Sequence, residues 1–79
     1  MTRQPVESSQ LASVGFDAAT STMEIEFVNR NPAKLPSIYT YANVSQEDHD
    51  KLVNAESIGI HFGAFIKPFP QKYPYTKVQ

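Results

Sequence analysis

Thr22-Met23-Glu24-Ile25-Glu26-Phe27-Val28 limits what this chain can become more than any other stretch. Met23, Ile25 and Phe27 fall at every second position, with Thr22, Glu24 and Glu26 between them. Side chains alternate faces along a strand, so the pattern builds one apolar face and one wet face. This is a half-buried antiparallel strand, and its two glutamates mark the solvent side.

The neighbouring segments fit around it. Leu11, Val14 and Phe16, with small residues between, predict a strand over 10–17 in which Gly15 is either a bulge or a close backbone approach. Asp17 to Ser21 is a turn, with Asp17 bonding nearby amides. The stretch from Asn29 to Pro36 is too long and proline-rich for a two-residue hairpin, and places Arg30 and Lys34 at its tip. Ile38-Tyr39-Thr40-Tyr41 then resumes a period of two, so Tyr39 and Tyr41 share one face and Ile38 and Thr40 the other.

Beyond Val44 the pattern becomes helical. Ser45 with Asp48 resembles a capping box, and Glu47, Asp48 and Asp50 suit a helix start. His49, Leu52 and Val53 supply the face that would pack on the sheet. Ser57 would cap a second helix, whose expected core stripe is Ile58, Phe62, Phe65, Ile66 and Phe69. Ile58, Ile60 and Phe62 also alternate, which is compatible with a strand. Gly59 and Gly63, four apart, suit simple packing against the sheet or a dimer contact. Pro68 ends the element. Residues 1–9 read as an extended lead-in. Residues 69–79 read as an extended aromatic tail with a second tyrosine pair, Tyr73 and Tyr75.

A chain of 79 residues is read as one domain, 1–79. Domains this small bury only about 60% of their unfolded surface, so self-association is a natural source of further burial. No cysteine is present, which excludes a disulfide scaffold, a thiolate metal site and a catalytic thiol. Residues 1–56 carry four basic and eight acidic side chains, while 57–79 carry Lys67, Lys72 and Lys77 and no acid. The overall charge of −1 argues against duplex DNA as a partner. No apolar run is long enough to span a membrane, and the N-terminus has no secretory h-region, so a cytoplasmic setting, in a bacterium or an infected host cell, is expected.

The order of motifs resembles the KTSC domain, a short module named from the C-terminus of some lysyl-tRNA synthetases and found alone in bacterial and phage proteins. The resemblance runs from Pro5-Val6-Glu7-Ser8-Ser9 through Val14-Gly15-Phe16-Asp17 and Tyr39-Thr40-Tyr41 to Ile66-Lys67. It departs from the family pattern in Ser45, where proline is common, in His49 and His61, where aromatics are common, and in Gly63, which replaces an asparagine. The Asn29–Ser37 loop is also longer than usual. The resemblance implies RNA binding, by the family's association with a tRNA synthetase.

The chemistry of the chain points to binding and away from catalysis. His49 and His61, twelve apart beside Asp50, match no established zinc spacing, so no metal or cofactor is expected. No nucleophile motif surrounds any serine, and the three glycines form no phosphate loop. The candidate ligand site is Tyr39 and Tyr41 with Lys67, Arg30 and His61, stacking and charge together suiting single-stranded RNA, tRNA or a small nucleotide, although tyrosines on a strand face are more often core or interface residues. The rival reading is a homo-oligomeric interaction module built on Gly59, Gly63, Phe69, Tyr73 and Tyr75. Such a protein could bind a host protein or sequester a signalling nucleotide. The expected fold is α+β: a three-stranded antiparallel meander at 10–17, 22–29 and 37–44, then short helices at 46–55 and 57–67 on one face.

Overall fold

A computed structural model describes residues 2–79; Met1, the first residue of the expected lead-in, lies outside them. The elements are β1 (Arg3–Pro5), β2 (Leu11–Asp17), β3 (Thr22–Phe27), β4 (Ile38–Tyr41), α1 (Gln46–Val53), α2 (Ile58–Phe65) and β5 (Tyr75–Lys77). The strands form one antiparallel sheet in the order β1-β2-β3-β4-β5. The α+β class and the two helices agree with expectation; the sheet has five strands, not three.

Both added strands lie at the edges, inside segments expected to be lead-in and tail. Each has three residues, too few to show a period. Each is held by backbone pairing, β1 to β2 and β5 to β4. Pro5 in β1 and Pro74 just before β5 mark edge positions, where a missing N–H costs no ladder bond.

The alternation of β3 reads out as expected. Met23 and Ile25 are fully buried, while Glu24 and Glu26 turn to the outer face. There Glu24 pairs with Arg3, whose Nε donates to Ser13 Oγ at 3.0 Å, and Ser13 donates to Glu26 Oε1 at 2.9 Å. The register shift in β2 falls between Leu11 and Ser13, so the bulge is at Ala12. Gly15 is instead a close approach: a Cβ there would lie 2.9 Å from the Thr2 carbonyl oxygen.

The long loop is tied by its asparagines. Asn29 Oδ1 accepts from Asn31 N and Asn31 Oδ1 from Ala33 N, both at 3.0 Å. These are side-chain turns that asparagine favours. At the other end of β4, Asn43 adopts a φ of 62°, a left-handed position asparagine tolerates, and the chain swings into α1. Ser45 caps that helix in a full capping box with Asp48.

The core lies between the sheet and the helices. Leu52 of α1 and Ile58 and Phe62 of α2 meet Leu11, Val14, Met23, Ile25 and Tyr41. His49 stacks on Phe16 at 5.0 Å, as the expected α1 face requires. The stripe of α2 is narrower than expected. Ile58, Phe62 and Ile66 are buried, but Phe65 is 59% and Phe69 49% exposed. The helix stops at Phe65, so helical spacing no longer places Phe69. Phe65, in the last turn, packs on His61 at 4.7 Å on the flank of the helix. No helix among the described residues is long and apolar enough to cross a membrane.

Candidate functional site: an aromatic groove between sheet and helix

Register decides which side chains can meet. Ile25 pairs with Tyr39, and Tyr39 with Lys77; Met23 pairs with Tyr41, and Tyr41 with Tyr75. Directly opposed residues share a face, so Tyr39, Tyr41, Tyr75 and Lys77 all stand on the helix side of the sheet. The helix α2 covers only part of that side. Beyond it the sheet surface is open, and a groove of about 650 Å³ remains.

The floor of the groove is aromatic. Phe27 meets Tyr39 edge-on at 5.7 Å, Tyr41 meets Phe62 at 5.5 Å, and Tyr75 lies 5.9 Å from Tyr39 and 6.1 Å from Tyr41. Such tilted and edge contacts hold each ring through its neighbour's quadrupole. The two tyrosines of β4 differ sharply. Tyr41 is 6% exposed, and burial, aided by Tyr39 and Tyr75, pushes its hydroxyl up to about 12. It is a core residue with its edge at the groove. Tyr39 is half-buried, and Tyr75 is 58% exposed. The rings open to a ligand are therefore those of Tyr39 and Tyr75.

The walls come from α2 and the turn after it. Gly63 and Lys67 line one side with Pro70, and Gln10 and Ser37 line the rest. Lys67 is set there by the end of the helix, where its backbone N–H donates to the Phe62 carbonyl at 3.0 Å. Gly63 has nothing within 4 Å of where a Cβ would stand, so it widens the groove and supports no close helix contact.

The expected ligand set is thus divided. Tyr39, Tyr41 and Lys67 come together. Arg30 lies apart on the loop, where Nη2 donates to the Ser9 carbonyl at 3.4 Å. His61 faces a different hollow, shared with Phe65, Phe69, Lys51 and Lys72. The expected interface set divides too. Tyr75 and Gly63 line the groove, Gly59 packs against Gln10, and Phe69 is on the surface. Tyr73 is 3% exposed and belongs to the core, so it is no free docking residue. Sequence reasoning passed over Gln10 and Lys77. The Tyr75-x-Lys77 alternation carried a signal for Lys77; nothing marked Gln10.

The site can therefore offer flat stacking surfaces, one lysine at its wall, a second lysine on its sheet face, and amide and hydroxyl groups at the rim. Stacking and phosphate attraction are the chemistry these groups supply.

The family model of the KTSC domain matches residues 7–73. A protein of Stutzerimonas stutzeri, itself uncharacterized, is 33% identical over 78 residues, covering 99% of both chains. A protein of Tsukamurella paurometabola is 34% identical over 65 residues, covering 82% of this chain and 88% of its own. The crystal structure of a KTSC domain protein from Yersinia pestis superimposes with a TM-score of 0.81 at 31% identity, covering 99% of this chain and 97% of the other.

Proposed function

The chain belongs to the KTSC domain family, and from that premise we propose that it is a small, non-enzymatic binding module holding one nucleotide unit, free or within single-stranded RNA. The observation that carries the reading is the pairing of Tyr39 with the exposed Tyr75 on the groove floor, with Lys67 at the wall. A base stacks on the tyrosine rings, and the lysine attracts its phosphate. The net charge of −1 and a groove of about 650 Å³ favour a single unit over a long polymer track.

Titration of the protein with AMP, UMP and a short single-stranded oligonucleotide, read by tyrosine fluorescence or amide shifts, tests this. Stacking on one ring is worth about 1–3 kcal/mol, so Tyr75→Ala should weaken binding roughly tenfold or more while the fold persists. Undetectable binding of all three, or affinity unchanged in Tyr75→Ala, would remove the reading. Salt separates the forms, because affinity for a polymer falls steeply as salt rises and affinity for one nucleotide much less.

A second reading rests on the exposed Ile60, Phe65 and Phe69, which leave apolar surface on and beside α2. It makes the protein a self-associating interaction module. Light scattering across a concentration series tests it: a dimer that Phe65→Ser returns to monomer supports it, and a monomer at every concentration opposes it.

A further inference from the structure

Gln10 lines the groove with Lys67, and its backbone is fixed on both sides. Its backbone N–H donates to Ser8 Oγ at 3.1 Å, and its carbonyl accepts from Val28 N–H at 2.8 Å. Its side chain lies on the bare backbone of Gly59 in the first turn of α2. A Cβ at Gly59 would stand 3.2 Å from Cδ and 3.4 Å from both Cγ and Nε2 of Gln10. Any other residue there would press on the carboxamide. The carboxamide itself makes no hydrogen bond to the described residues, and it lines the same groove as Tyr39, Tyr75 and Lys67. A donor and an adjacent acceptor thus stand at the exposed rim of an aromatic floor with no protein partner among the described residues.

We infer that Gln10 reads the edge of the bound ring, so that the groove selects a base presenting a donor beside an acceptor over a ring that lacks the pair. This rests on the nucleotide reading and adds to it the residue that discriminates. Glutamine can meet adenine in this way, its amide oxygen accepting from the amino group and its amide N–H donating to a ring nitrogen. The analogue lacking the amino group forfeits that bond, which is the source of the preference.

The test compares two probes, AMP and purine riboside 5′-monophosphate, which differ only in the exocyclic amino group. The wild-type protein should bind AMP about tenfold more tightly. In Gln10→Ala that preference should fall to within about twofold, AMP losing more affinity than the purine riboside probe, which forfeits only the bond to its ring nitrogen. Gly59→Ala keeps Gln10 but displaces its carboxamide, and alanine suits a helix better than glycine, so this variant should fold and lose the same preference. A preference that survives both substitutions, or equal affinity of the wild type for the two probes, overturns the role of Gln10 and leaves the nucleotide reading standing. Failure of the wild type to bind either probe overturns the role of Gln10, and the nucleotide reading falls with it only if UMP and the oligonucleotide also fail to bind.

Discussion

The Tyr73 hydroxyl donates to Asp48 Oδ2 at 3.1 Å, joining the segment that leads into β5 to the first turn of α1. The same Oδ2 accepts from the Ser45 amide at 3.2 Å, so one carboxylate serves as helix cap and as anchor for the end of the chain. Tyr73→Phe keeps the buried ring and removes only the hydroxyl. A hydrogen bond to a charged, partly exposed acceptor is worth about 1–2 kcal/mol. The variant should lose that much stability in urea unfolding, with an unchanged m-value, while Tyr73→Ala should lose about 3–5 kcal/mol by emptying a core position.

Asp48 should also govern acid stability. Burial acts to raise its carboxyl, but the Ser45 backbone and side chain, the Tyr73 hydroxyl and the Lys72 charge together outweigh it and hold it below the usual carboxylate range. A group depressed in the folded state stabilises fully above its unfolded value, about 3.9, and loses that contribution as pH falls through its folded value. Between about pH 4 and the folded value, the wild type should destabilise more steeply than Asp48→Asn, as circular dichroism of a pH series would show.

At the alkaline end the controlling group is Tyr41. Its hydroxyl stays protonated in the fold toward about 12, against about 10 when unfolded. The unfolded chain therefore releases a proton that the folded chain keeps, and stability falls as pH climbs above about 10. Tyr41→Phe should flatten that decline. Phenolate absorbance followed across the range should lose its most delayed component in the variant.

The glycines should respond in opposite directions. In Gly15→Ala the new methyl meets the Thr2 carbonyl at 2.9 Å and Arg3 Cγ at 3.0 Å. Backbone cannot yield as a side-chain end can, so β1 should be pushed off the sheet at a cost of about 1–3 kcal/mol. Gly63→Ala meets nothing within 4 Å and should stabilise α2 by about 0.5–1 kcal/mol. Thermal melts of both variants check the pair of signs.

How far the sequence discloses this molecule depends on the range of each interaction. The alternation of β3 and the Ser45–Asp48 box act within a few residues, and both read correctly. The edge strands depend on ladders to distant segments and have three residues each, so no local period announces them. Phe65 and Phe69 look like core on spacing alone, because periodicity does not say where a helix stops or which flank its neighbours leave uncovered. The site follows the same rule. Tyr39 and Tyr41 are visible as a pair on one strand, and burial then separates their roles. Tyr75, Lys77 and Gln10 join them only through β5 pairing and helix packing, which no short window contains.

The placement of β5 beside β4 has a consequence for the order of events during synthesis. Both helices intervene between these strands, so Tyr75 reaches Tyr39 only after every other described element has been made. A growing chain can form the β2–β3 hairpin and α1 early, yet it has half a groove floor until Tyr75–Lys77 pair with β4. Under the nucleotide proposal, a product cut short before β5 keeps Tyr39 and lacks Tyr75, and so should bind more weakly.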